Sequence, residues 1–75
     1  MRDIEITGIE FKSADEAIQH ASASGRGEPI LIGGKHLVVE QAEADRLAAE
    51  GVQFAYLCVH EMPDGSTRVV TIPVN

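Results

Sequence analysis

The spacing of apolar positions changes several times along the chain, and each change marks an element. In residues 3–11, Ile4 and Ile6 fall on one parity and Ile9 and Phe11 on the other, with Gly8 between the two sets. Alternation of this kind predicts a strand, and a β-bulge at Gly8 is expected to bring all four side chains to one side. Residues 14–22 switch to a helical period, with Ala14, Ala17, Ile18 and Ala21 at i, i+3, i+4 and i+7. Ser13-Ala14-Asp15-Glu16 opens that helix as a capping box. The Ser13 hydroxyl accepts from the Glu16 amide, and the Glu16 carboxylate reaches back to the Ser13 amide. The buried stripe is narrow and rich in alanine, so the helix is expected to lie close to a sheet. A loop from Ala23 to Gly27 ends it.

Residues 29–32 and 35–40 read as short strands joined by Gly33-Gly34. Two glycines accept the positive φ angles that a type I′ hairpin turn demands. Residues 41–50 form a second helix that buries Ala44, Leu47 and Ala48, with Gly51 as a left-handed C-cap. Glu43, Arg46 and Glu50 are spaced so that Arg46 can pair with either acid. Residues 52–62 are the longest strand, apolar on both faces. A tight turn at Met62-Pro63-Asp64-Gly65 returns the chain as a last strand over 66–74. Pro73 has no amide hydrogen, so its nitrogen is expected to face solvent or the strand end. The order β-α-β-β-α-β-β predicts an α+β fold. The expected form is a two-layer sandwich, with both helices on one side of a mixed sheet of about five strands. The second face of the central strand is also apolar, and a bare apolar face is a liability in water, so either a helix or a second subunit is expected to cover it.

Composition bounds the rest. Seventy-five residues are expected to form one domain, 1–75, near the lower size for folding without staples. A core this small rarely contributes more than about 3–5 kcal/mol of net stability. Cys58 is the only cysteine, which excludes a disulfide within the chain and fits a reducing, cytoplasmic setting. A basic start with an apolar run after it is lacking, so no signal peptide is expected, and no run is long enough for a membrane helix. The net charge is −6, and the six basic residues are scattered singly among acids. A protein that grips phosphates usually gathers such residues on one face, so nucleic acid is not expected as the main partner.

Candidate chemistry is sparse. Cys58 and His60 are two apart on one strand and share a face. If the strand bearing His36 lay alongside, the three could form a partial zinc site or a thiol–imidazole pair. The spacing matches no dedicated zinc pattern, and a thiol flanked by Leu57 and Val59 is commonly an inert small hydrophobe. His20 falls on the polar face of the first helix. The glycines at 25, 27, 33 and 34 are placed for turns, not at the opening of a helix where a phosphate would sit. The acids at 15 and 16, and at 40 and 43, stand at helix starts, where the dipole accounts for them. The sequence therefore assigns no catalytic, cofactor-binding or metal-ligating residue.

The stretch Gly27-Glu28-Pro29-Ile30-Leu31-Ile32, then Gly34-Lys35, Val38-Val39 and Ala44-Asp45-Arg46-Leu47, resembles the DNA-binding half of the prevent-host-death antitoxins. In that family a helix leads through Gly-Glu-Pro to a glycine-turn hairpin and then an acidic helix. The resemblance implies a dimeric DNA-binding regulator. It spans residues 13–47 and departs from the family in three ways. The basic residues around the turn are reduced to Lys35, the chain opens with a strand, and it ends in a hairpin instead of a toxin-binding tail. The residues alone favour a different expectation: a non-catalytic protein-interaction or self-association module, with a homodimer as the simplest assembly.

Overall fold

The computed structural model describes residues 5–75. Its elements are β1 (Ile9–Phe11), α1 (Ala14–Ser24), β2 (Glu28–Ile32), β3 (Lys35–Val39), α2 (Gln41–Ala49), β4 (Phe54–Glu61) and β5 (Thr67–Val74). The α+β class, the two helices and the five strands agree with the sequence pattern. The strands lie in the order β1-β3-β2-β4-β5, and every pairing is antiparallel. The sheet is therefore not mixed. Each helical crossover joins two strands that run the same way, but a third strand is threaded between them, so parallel strands never become neighbours.

The ladder registers also fix which side chains share a face. Leu37 lies opposite Ile30, and Ile30 opposite Tyr56, so these point to one side with Val39 and Phe54. Ala44 and Leu47 of α2 pack into that cluster, and Leu47 and Ile30 are fully buried. Val38 and Leu57 have the opposite parity and are also buried. That second face belongs to α1, whose His20 ring lies 5.1 Å from the ring of Phe11; Phe11 is opposite His36 on the same side as Val38. Ala17 of α1 is fully buried there.

The helices thus cover opposite faces, where a two-layer sandwich with both on one side was expected. Crossover handedness gives the reason. From β1 to β2 and from β3 to β4 the chain steps the same way across the sheet, yet the two pairs of strands run in opposite directions. Crossovers of one hand then place their helices on opposite sides.

The bulge expected at Gly8 is replaced by a change of side. Ile6 packs against the α2 cluster, while Ile9 and Phe11 lie on the α1 face; Ile4 falls outside the described residues. A Cβ at Gly8 would stand 2.8 Å from both the Val38 carbonyl oxygen and Val39 Cγ1. Glycine is needed there for a close approach of two backbones.

Local signals formed largely as read. Ser13 Oγ accepts from the Glu16 amide at 3.2 Å, but Glu16 Oε2 accepts from the Lys12 amide, one residue before the expected donor. Behind α2, the Gly51 amide donates to Ala48 O and the Val52 amide to Leu47 O. With φ 77° at Gly51, these close the helix in a Schellman motif. Arg46 pairs with both Glu43 and Glu50. It also donates to the Glu5 carbonyl at 2.7 Å, and the Thr7 amide donates to Glu43 Oε2 at 2.8 Å. The helix thereby clips the segment leading into β1.

The Arg46 hydrogen bond, followed by the Thr7 amide, lowers the Glu43 pKa to about 2. Because the folded value is depressed, the clip's contribution is fully present above the ordinary carboxylate value of 4.5. It is lost as pH falls from there through about 2. Thermal melts across that range should show this loss in the native chain, and Glu43→Gln should flatten it. Gly8→Ala should lower the urea midpoint at unchanged slope, by about 1–3 kcal/mol of stability, through overpacking against Val38.

Candidate functional site

β4 and β5 are paired over eight residues each, from Phe54 with Val74 to Glu61 with Thr67. β4 meets β2 only at Tyr56 and Ala55. Beyond Leu57 the hairpin runs out from under both helices. Val59, His60 and Glu61, and opposite them Thr67, Arg68 and Val69, are all exposed. Val59 and Ile72 are about half exposed, at 51% and 52%. The inner end is anchored, since Asn75 Nδ2 donates to Ala48 O at 2.9 Å and to Val52 O at 3.2 Å.

The turn explains how the arm is held in register. The Gly65 amide donates to Met62 O at 2.9 Å, and the Met62 amide to Ser66 O at 2.7 Å. Gly65 has φ 89°. This is a type I turn followed by a glycine bulge. Asp64 Oδ1 accepts from the Ser66 hydroxyl at 2.6 Å and from the Ser66 amide at 3.0 Å. Those two bonds hold the Asp64 carboxyl below its ordinary pKa, the hydroxyl contributing most.

The Met62–Ser66 bond also sets the phase of the ladder, because hydrogen-bonded and non-hydrogen-bonded pairs alternate along antiparallel strands. Counting from it, the amides of Arg68, Val70, Ile72 and Val74 turn inward to β4. Those of Thr67, Val69 and Thr71 turn outward. Pro73 takes the next outward position, where a missing amide leaves the ladder intact. β5 is the last strand of the sheet, so these outward groups line an open edge. The other edge strand, β1, has only three residues.

The sequence's candidate cluster does not assemble. Cys58 and His60 lie on the α2 face of the sheet and His36 on the α1 face, so the sheet separates them. Among the described residues no group of three or more His, Cys, Asp or Glu is placed to hold a metal ion. Cys58 is half-buried. Gly33 and Gly34, with φ 55° and 79°, form the hairpin turn, and Gly25 caps α1. A groove of about 450 Å³ between α1 and β3 is bordered by His20, Arg26 and Glu40. Arg26 and Glu40 pair with each other across 2.9 Å.

Two features escaped the sequence reading: the clip by Glu43 and Arg46 onto residues 5 and 7, and the place of β5 at the edge of the sheet. The first had a partial signal in the acid–Arg–acid spacing, but its backbone partners lie about forty positions away. The second had its signal in Pro73, whose nitrogen was expected to face solvent or the strand end.

No protein-family model, curated protein or solved structure matches the chain. The antitoxin resemblance therefore rests on its quoted residues alone.

If Asp64 holds the turn in this way, the Ser66 amide resonance should titrate with a midpoint below the ordinary 3.8 of an aspartate. Asp64→Ala should lower the thermal midpoint and speed exchange of the Met62 and Gly65 amides. An unchanged turn in that variant would contradict the assignment.

Proposed function

We propose that the chain is a non-catalytic protein-interaction module that takes its partner by strand addition along β5. The open edge of an eight-residue strand carries this reading. Long, flat edges invite pairing, and proteins that avoid it shorten, cover or charge them. β1 is shortened, whereas β5 offers outward amides and carbonyls at Thr67, Val69 and Thr71. Strand addition draws affinity from such main-chain bonds and specificity from alternate side chains. Val59 and Val69 stand opposite each other on one face of the arm, and Ile72 lies exposed on the other, so apolar contact is available on both sides.

The charge distribution supports a protein partner over nucleic acid. Arg26 and Arg46 are held by carboxylates, and the chain as a whole is at −6. That weighs against the DNA-binding role implied by the antitoxin resemblance.

Val69→Pro tests the reading. It deletes one outward amide at a position equivalent to the one Pro73 already occupies, so the β4 ladder and the fold should survive. An extended peptide of alternating threonine and valine should shift the amide resonances of Thr67, Val69 and Thr71 in the native chain and leave the variant unmoved. Equal shifts in both proteins, or shifts centred away from β5, would count against strand addition.

A further inference from the structure

We propose that the strand added to β5 is β5 of a second copy of this chain, paired antiparallel about a two-fold axis at Val69. The proposal rests on the reading of β5 as a strand-addition edge and names its occupant.

The edge is self-complementary. Its outward positions are Thr67, Val69 and Thr71, bounded by the glycine-bulge turn before them and by Pro73 after them. With Val69 opposite the partner's Val69, Thr67 faces the partner's Thr71 and Thr71 faces the partner's Thr67. Each outward amide and carbonyl then meets its counterpart, and Pro73 falls outside the paired stretch. The sheets join edge to edge with like faces on the same side. Since Val59 lies opposite Val69 within each hairpin, one row across the junction reads Val59, Val69, the partner's Val69, the partner's Val59. Cross-strand pairs of β-branched residues stabilise such ladders.

Charge permits the contact at this place. From Phe54 to the C-terminus the only Asp, Glu, Lys or Arg residues are Glu61, Asp64 and Arg68, a net of −1 out of the chain's −6. Two copies thus meet through the part of the molecule that repels least. The row at Thr67, Val69 and Thr71 carries no charge at all.

A two-fold pair is the commonest closed assembly, and its isologous contact requires a self-complementary patch of this kind.

Cysteine placement reads the register directly. In full-length protein carrying Cys58→Ser, Val69→Cys puts two thiols on the axis, at a Cα separation of about 5.5 Å that a disulfide spans. Thr67→Cys puts its thiol opposite the partner's Thr71 and about 13 Å along the strand from its own copy. Mild oxidation should cross-link the first variant about tenfold faster than the second. Sedimentation equilibrium of the native chain should give twice the 8.0 kDa monomer mass, and both Val69→Pro and Val69→Lys should return it to the monomer. A dimer in which Thr67→Cys links as fast as Val69→Cys overturns the register. A native chain that stays monomeric to millimolar concentration overturns the second copy as occupant. In that case retained binding of the threonine–valine peptide would leave the strand-addition reading standing, and its loss would remove both.

Discussion

The layout depends on one constraint, the common hand of two interlocked crossovers. β1–α1–β2 and β3–α2–β4 each skip one strand, and the skipped strand in each case belongs to the other unit. Both units step toward the same edge while their strands run in opposite senses, so crossovers of one hand send α1 and α2 to opposite faces. Had β4 docked beside β1 instead of β2, the same rule would have put both helices on one face. The remaining features follow from that division: a core split in two, with Ile30, Leu37, Leu47 and Phe54 under α2 and Ala17, Val38 and Leu57 on the α1 side.

A single short helix per face leaves sheet uncovered. α1 and α2 have 11 and 9 residues, about 16 and 13 Å of axis. β4 and β5 have eight each, about 27 Å of strand. The helices are anchored over β2 and β3, so the shortfall collects at the far end of the terminal hairpin. Its inner end is tied by Asn75 and its outer end is braced by the Asp64–Ser66 turn. The result is an ordered arm with exposed valines, whose outer edge is the one long unpaired edge of the sheet. The interaction proposed for the chain follows from this geometry.

Much of this was legible in the residues. Ser13 and Glu16, the Gly33-Gly34 pair, Gly51, and the Pro63-Asp64-Gly65 turn each act within a few positions, and each formed, with only the Glu16 carboxylate taking the Lys12 amide in place of that of Ser13. The amphipathic stripes of both helices were equally clear, because a 3.6-residue period needs no knowledge of the partner surface. What could not be read was the order of strands, which is set by pairings between distant segments and decides the layering. Thus Val38 and Leu37, adjacent in sequence and equally apolar, serve different helices. Gly8 was seen as exceptional, but its constraint, the Val38 carbonyl, lies thirty positions on. Cys58, His60 and His36 were a plausible cluster in sequence because parity across β2 and β4 is unknown until the register is. The bare sheet face inferred from apolar strands became a bare end of sheet, which moves the expected contact from a face to an edge.

Residue-resolved amide hydrogen exchange along β5, followed from micromolar to millimolar protein, tests the central claim most directly. In dilute solution the amides of Arg68, Val70 and Ile72 should be protected and those of Thr67, Val69 and Thr71 should exchange freely. As concentration rises the outward three should gain protection together, while the inward three change little. Outward amides that stay fast at every concentration, or a dilute pattern with no alternation, would contradict the account of β5 as an open edge filled by a second copy.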